Sequence, residues 1–349
     1  MPFLLYGAYG YTGQLVARMA VERGQRPVLA GRNADKLGAL AAELDLDYTV
    51  CALDDSAALD AALADVPVVL HCAGPFSRTV GPMAAACLRT GTHYLDITGE
   101  IGVYEHLAAL DAEAKAAGVM LLPGVGFDVV PTDCLALHLK KRLPSATHLD
   151  LAIMGTGRLS HGTALTTIEN IGEGGTVRRE GRLEPVPAAW KTRTADFGRG
   201  PVEVVSIPWG DVFTAYHSTG IANITVYAEM DKSLRRLIRM TRYTGWLLAS
   251  SPAQALFKWM IDRQPPGPSD EERARGHSFV WGTVWDDEGR RATARAKAPE
   301  GYTFTALAAL AIVDKVFAGP VATGFQTPAK TYGSDFILEI DGVTREDLD

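Results

Sequence analysis

Only four cysteines occur in 349 residues, Cys51, Cys72, Cys87 and Cys134, and no two of them form a CxxC pair. That scarcity argues against a disulfide-stapled scaffold and favours reduced core thiols in a cytoplasmic protein over a metal or redox site. Positive charge is also in deficit: 34 Lys and Arg stand against 41 Asp and Glu, a formal net charge of −7. The chain therefore offers no general basic field to nucleic acid or to an anionic membrane, and any pull on a phosphorylated ligand must be local. Long apolar runs are lacking as well. The best candidate, Tyr243 to Ile261, is interrupted by Pro252, Gln254 and Lys258, so the sequence predicts no membrane span. Met1-Pro2-Phe3 leads directly into a strand-like segment without a basic region, which does not read as a signal peptide. HExxH, GxSxG and Tyr-xxx-Lys patterns do not occur. What remains is an ordinary composition, 47% apolar and 21% charged, in a chain long enough for two domains.

The first part alternates short apolar runs with Ala- and Leu-rich amphipathic stretches, the rhythm of parallel βαβ units. Strands are predicted at Phe3–Ala8, Pro27–Gly31, Asp47–Ala52, Pro67–Ala73, His93–Ile97 and Val119–Pro123. Helices fall between them, several ending at a glycine such as Gly24, Gly91 or Gly118, as a left-handed cap prefers. Six strands so separated predict an α/β Rossmann fold with a doubly wound parallel sheet. From about Asp128 the pattern becomes mixed, with a helix Thr132–Arg142, strands at His148–Met154, Val177–Val186, Val202–Ile207 and Ile221–Met230, and helices at Thr163–Ile171, Lys232–Ala249 and Pro252–Asp262. In a hairpin Phe279–Lys297, Ala292, Ala294, Ala296 and Ala298 alternate with Arg291, Thr293, Arg295 and Lys297, one close-packing face and one solvated face. The expected organisation is a Rossmann domain over 1–127, completed by 302–349, and a second α+β domain over 128–301 with a largely antiparallel sheet.

Gly7, Gly10 and Gly13 sit where the first strand passes into the first helix. There the first glycine allows a sharp turn, the second lets a pyrophosphate approach the backbone, and the third lets helix and strand pack closely. With Tyr11 and Thr12 this loop is the predicted cradle of a dinucleotide. The spacing is GxxGxxG, and its weight comes from the strand before and the helix after it. The second strand ends Ala30-Gly31-Arg32-Asn33, with no carboxylate to accept from a ribose 2′-hydroxyl. Arg32 instead supplies a planar cation for a 2′-phosphate, which predicts NADP(H) over NAD(H). Asp54 follows the third strand, beside the expected adenine. Ala73-Gly74-Pro75-Phe76 follows the fourth, where a nicotinamide would lie.

Three polar clusters follow: Asp96–Glu100, Gly124–Asp128 and Ser160–Thr163. Asp96, Thr98 and Glu100 are either substrate-facing groups or helix caps. Asp128, at the mouth of the expected cleft, and His161 are the candidate catalytic residues.

Taken together, the Gly7–Gly13 loop, Ala30-Gly31-Arg32, Gly74-Pro75-Phe76, His93–Glu100 and the Gly-Phe-Asp-x-x-Pro-x-Asp element Gly126–Asp133 resemble the saccharopine dehydrogenase-like family. Gly126–Asp133 and Gly162-Thr163 are closer to the saccharopine dehydrogenase-like oxidoreductases and trans-acting enoyl reductases than to true saccharopine enzymes. The resemblance implies an NADP(H)-dependent oxidoreductase acting on a small organic substrate, with a second domain that shapes the cleft and forms a homodimer. The bond reduced, C=N, C=C or C=O, stays open, and so does a non-catalytic NADP(H)-binding sensor or scaffold.

Overall fold

The computed structural model describes residues 2–155, 160–162, 174–236, 238–240, 250–261, 263 and 265–348. The chain divides into two compact units, Met1–Val130 with Tyr302–Thr331, and Pro131–Gly301 with Tyr332–Asp349. This differs from the sequence expectation at both joints. Asp128 stays with the first unit, and the tail expected to complete it is shared. Residues 332–349 go to the second unit because the strand Thr344–Asp347 pairs antiparallel with Arg291–Pro299.

The first unit is a seven-stranded, all-parallel sheet. Its strands are β1 (Leu4–Tyr6), β2 (Val28–Gly31), β3 (Tyr48–Val50), β4 (Val68–His71), β5 (His93–Asp96), β6 (Met120–Leu122) and the short β15 (Gly324–Phe325). The order is β15-β6-β5-β4-β1-β2-β3. Interior strands are largely buried and carry apolar runs such as Leu4-Leu5-Tyr6, Val68-Val69-Leu70 and Met120-Leu121-Leu122, whereas edge strand β3 leaves Tyr48 and Val50 exposed. Connecting helices are α1 (Tyr11–Glu22), α2 (Ala34–Leu44), α3 (Ser56–Leu63), α4 (Phe76–Thr90), α5 (Ile101–Ala109), α6 (Asp111–Ala117) and α7 (Val130–Arg142), the last leading into the second unit. Their ends are chemically marked. Asn33 accepts from the Lys36 amide and Asp55 from the Ala58 amide, while α4 and α6 stop at Gly91 and Gly118 in the left-handed region. The sequence passed over β15. Two residues carry no periodicity, and the strand is held by the Gly324 amide on Val119 O and the Phe325 amide on Asp111 Oδ1.

Helix Gly301–Ala318 also belongs almost wholly to the first unit. By length and composition it is apolar enough to cross a membrane, which corrects the choice of Tyr243–Ile261 as the best such stretch. Half of it is buried inside the protein, with Phe304, Ala308, Leu310, Ile312 and Val313 in the core.

The second unit is built on a nine-stranded mixed sheet, β7 (His148–Gly155), β8 (Gly175–Arg179), β9 (Arg182–Val186), β10 (Thr192–Asp196), β11 (Pro201–Ser206), β12 (Asn223–Glu229), β13 (His277–Trp285), β14 (Arg291–Pro299) and β16 (Thr344–Asp347). Its path runs β10-β11-β12-β7-β13-β14-β16, antiparallel except where β12 lies parallel to β7, with the β8–β9 hairpin joined to β12. Glu180 and Gly181 both take positive φ, 46° and 78°, the two-residue turn that matches strand twist. In β14 the four alanines are buried as the alternation predicted. At Gly282 a Cβ would stand 2.8 Å from Leu139 of α7 and 3.1 Å from Leu151, so the glycine lets the helix close onto the sheet. Strand β10 and helix Asp211–Thr219 escaped the sequence reading. The expected helix Thr163–Ile171 lies outside the described residues, and Lys232–Ala249 is described only in part.

Candidate functional site

In the first unit the chain runs β1-β2-β3 toward one edge and then crosses to β4 on the other side of β1. That reversal leaves a crevice at the carboxyl ends of β1 and β4, where open parallel sheets bind ligands. The two loops that flank it are pressed together. Gly7 takes φ +81°, and a Cβ there would lie 2.8 Å from Ala73 N and 2.9 Å from Ala73 Cβ. The Gly7 amide donates to Ala30 O of β2 at 2.8 Å, and the Gly10 amide donates back to Gly7 O at 3.0 Å. Gly13 faces the same carbonyl so closely that a Cβ would stand 2.3 Å from Gly7 O. Helix α1 then starts with Gly10 as its cap residue and no side-chain cap on its first turn. An uncapped first turn beside a thin glycine backbone is the donor set that a pyrophosphate requires, so these residues fit a dinucleotide.

Arg32 is exposed directly after β2, and Asp54 is exposed after β3. Both lie within electrostatic range of the Tyr6 hydroxyl. Tyr6 was not singled out from sequence. Its hydroxyl donates to Cys51 O at 3.1 Å, and burial is the main cause that raises its pKa. Tyr9 packs its ring on Gly31, where a Cβ would meet it at 2.8 Å, and Lys36 Nζ stands 5.7 Å from the ring centre.

The Ala73–Phe76 turn, which contains a cis Gly74-Pro75 bond, is tied down from two sides. Thr79 Oγ1 donates to Ala73 O at 2.9 Å. With that proton committed, Thr79 accepts from His71 Nε2 at 2.9 Å, which fixes the Nε2–H tautomer. His71 is fully buried, burial lowers its pKa to about 3, and Nδ1 has no hydrogen-bond partner among the described residues. Its ring packs edge-on to Phe76 at 5.4 Å. Glu100 closes the other side: its two carboxylate oxygens accept from the Phe76 and Ser77 amides, both at 2.9 Å. Glu100 is thus the cap of α4, the helix before it in sequence. Glu100→Ala is expected to cost about 0.5–2 kcal/mol in urea unfolding, the range for a lost helix cap.

Asp96 is buried and saturated. It accepts from Tyr94 Oη at 2.6 Å and from the Thr98 and Gly124 amides at 2.9 Å each, and burial raises its pKa to about 6. Thr98 Oγ1 accepts from the Glu100 amide. Of the Asp96–Glu100 cluster, Asp96 thus ties the loop after β5 to the one after β6, Glu100 ties it to the loop after β4, and Thr98 braces its own turn.

Asp128 differs. It is half-buried against Gly99, where a Cβ would lie 2.8 Å from Oδ2, and burial pushes its carboxyl up to about 7. Neighbouring Gly126 is shaped by helix Gly301–Ala318: a Cβ would meet Thr305 Cγ2 at 2.8 Å, and the Phe127 amide donates to Thr305 Oγ1 at 3.0 Å. Tyr302 of the same helix packs edge-on to Tyr11 at 5.1 Å. Tyr302 and Thr305 join the glycine loop and the Asp128 loop from 170 or more residues away in sequence, a proximity that local pattern cannot show. His161 lies in the second unit, where its amide donates to Pro266 O at 3.0 Å; neighbouring Thr163 lies outside the described residues.

With this geometry in hand, residues 3–122 match the family model described as the saccharopine dehydrogenase NADP binding domain. The first unit is an NADP-binding domain of saccharopine dehydrogenase type. Curated relatives agree with that family. A trans-acting enoyl reductase of Mycobacterium leprae is 35% identical over 148 residues, covering 40% of this chain and 35% of that protein. One from Mycobacterium ulcerans is 34% identical over 149 residues, with the same coverage of each chain. The saccharopine dehydrogenase-like oxidoreductase of Rattus norvegicus is 30% identical over 218 residues, covering 53% of this chain and 51% of that protein. The chain thus matches about a third of the mycobacterial relatives' length and about half of the rat protein. Among solved structures, an apo saccharopine dehydrogenase (L-Glu forming) from Saccharomyces cerevisiae superposes with a TM-score of 0.67 at 13% identity, over 100% of both chains. At that identity the likeness establishes the fold, a Rossmann-like unit followed by a mixed-sheet unit.

Proposed function

We propose that this chain is an NADP(H)-dependent oxidoreductase that transfers hydride to a C=N, C=C or C=O bond of a small organic substrate. One observation carries the proposal. The carboxyl edge of the parallel sheet brings the NADP-type glycine loop into the same unit as Asp128, whose carboxyl titrates near neutrality. When bound, NADPH supplies the hydride, and the protein's share is to hold it and manage the proton. The Gly7–Gly13 backbone and the uncapped start of α1 would take the pyrophosphate. Arg32 would take the 2′-phosphate. Asp54 would flank the adenine ribose, and the Ala73–Phe76 turn, clamped by Thr79 and Glu100, would present a fixed wall to the nicotinamide. Asp128, protonated at or below neutral pH, would give a proton to the atom left negative by hydride addition. His161 belongs to this proposal as a substrate-side group.

Arg32→Asp tests the cofactor half. Loss of a charge-assisted contact and gain of a like charge should weaken NADPH about tenfold or more while NADH changes little, read by fluorescence titration. An unchanged NADPH/NADH ratio would assign the 2′-phosphate to another residue. Consumption of NADPH with a panel of cyclic imines, ketones and enoyl thioesters tests the chemistry. The mycobacterial relatives named trans-acting enoyl reductase favour the enoyl thioesters as a second, narrower reading. Tight NADPH binding with no turnover across the panel would instead support a sensor or scaffold. Homodimer formation is part of the same proposal, and light scattering of the purified chain reads it directly.

A further inference from the structure

The second unit holds a cavity of about 770 Å³ whose wall is basic. Arg199, Arg275, His277, Arg295, Lys297 and Arg345 line it, and Glu346 is the one carboxylate among its described lining residues. Two of the cations are already neutralised. Arg295 grips Glu346 through Nε and Nη2 at 2.8 and 2.7 Å, with Asp196 3.5 Å from Nη1. Arg345 holds Asp335 at 2.7 Å and donates to Ser334 O at 2.9 Å.

Arg199, Arg275 and Lys297 have no ion-pair partner among the described residues and are exposed at the cavity. In a chain of formal charge −7, three uncompensated cations around one concavity repel one another and focus a local positive potential. The fold holds them there. Strand register sets Lys297 beside Phe279 and Arg295 beside Trp281 on one face of the β13–β14 pair. The turn after β10 brings Arg199 to the same wall. At Gly198 φ is +91°, and a Cβ would lie 3.2 Å from Arg295 Cζ, so the glycine lets the turn close over that guanidinium. Arg199 then stands 5.9 Å from the Phe279 ring centre. The floor is apolar, with Phe197 and Phe279 in the buried cluster that includes Trp281 and Tyr227. Cation clusters with planar guanidinium forks suit phosphate, and the volume is that of a small-molecule pocket.

We propose that this cavity binds a small phosphate-bearing ligand, its charge met by Arg199, Arg275 and Lys297. The site lies wholly within the second unit and does not depend on the NADP(H) reading. The test is calorimetric titration of the full chain with pyrophosphate, with and without saturating NADPH. Binding is expected in both conditions. Arg275→Gln and Lys297→Gln should each weaken it about tenfold, the usual scale for one charge-assisted contact, and leave NADPH affinity unchanged. Arg199→Gln, on an exposed turn, serves as a third variant should the change at Arg275, which ends the helix Asp270–Arg275, or at Lys297 on β14 disturb folding. No binding of millimolar pyrophosphate, equal affinity in the variants, or binding that disappears on saturation with NADPH would overturn the proposal. The last result would place the anion at the glycine loop instead.

Discussion

Gly13→Ala is expected to abolish detectable NADPH binding and to lower stability by about 2–4 kcal/mol, the combined scale of backbone strain and overpacking. The added Cβ would lie 2.3 Å from Gly7 O and 2.9 Å from both Ala8 Cα and Ala8 O. All three are backbone atoms, so no side-chain rotation relieves the clash. Either α1 moves away from β1 or the Gly7 turn opens. Opening the turn releases the Gly10–Gly7 hydrogen bond and separates Gly7 from Ala73, which dismantles both sides of the crevice. Gly10→Ala supplies the contrast. Its Cβ would approach only Gly7 O, at 3.2 Å, so stability should fall less while the methyl still obstructs a pyrophosphate. Urea denaturation and NADPH fluorescence on the two variants separate the effects. Wild-type stability in Gly13→Ala would show that the loop yields where the structure has it rigid.

Asp128→Asn should reduce kcat by about 10²–10⁴-fold, the usual contribution of a positioned general acid, with little change in NADPH affinity. It should also remove a pH dependence of known sign. The folded carboxyl titrates near 7 against an ordinary 3.8, because burial disfavours its charge. The folded state therefore holds its proton to higher pH than the unfolded chain does. Asp128 makes no electrostatic demand below about pH 4, and stability falls as pH rises from there to about 7. Two consequences follow. Wild-type kcat should decline above pH 7 as the donor ionises, and Asp128→Asn should melt at a higher temperature than wild type at pH 8. Lower activity with higher alkaline stability is the signature of a buried acid kept for chemistry. A flat pH profile, or an Asn variant less stable at pH 8, would reassign Asp128 to a structural role.

Much of the first unit was legible in the residues themselves. Unbroken apolar triplets such as Leu4-Leu5-Tyr6 and Met120-Leu121-Leu122 can be strands only if both faces are covered, and the intervening amphipathic segments supply the cover. The glycine spacing, Arg32 after the second strand and the polar clusters near the ends of later strands are local facts. Local facts survive in sequence because each depends on neighbours a few residues away. Glu100 shows where this stops. Its candidacy was visible, but whether it faced a substrate or a helix end depended on β4 and β5 lying side by side, which puts it over the Phe76 amide 24 residues back.

Composition and short-range pattern thus determined the parallel α/β unit, the glycine-rich loop after its first strand and the identities of the candidate acids, since these follow from periodicity, backbone freedom at glycine and side-chain charge. Tertiary structure alone decided what surrounds each acid. Asp96 is a buried carboxyl at the end of one strand, and Asp128 a half-buried one after the adjacent strand. Burial raises the pKa of both, and in Asp96 three accepted hydrogen bonds offset part of that rise. The tertiary structure also decided that Tyr302 and Thr305 return to the glycine loop and the Asp128 loop, that β15 closes the parallel sheet, and that Arg199, Arg275 and Lys297 meet around one cavity. Each of those depends on contacts between residues far apart in the chain, whose energies arise only when packing excludes water and fixes the distance between charges.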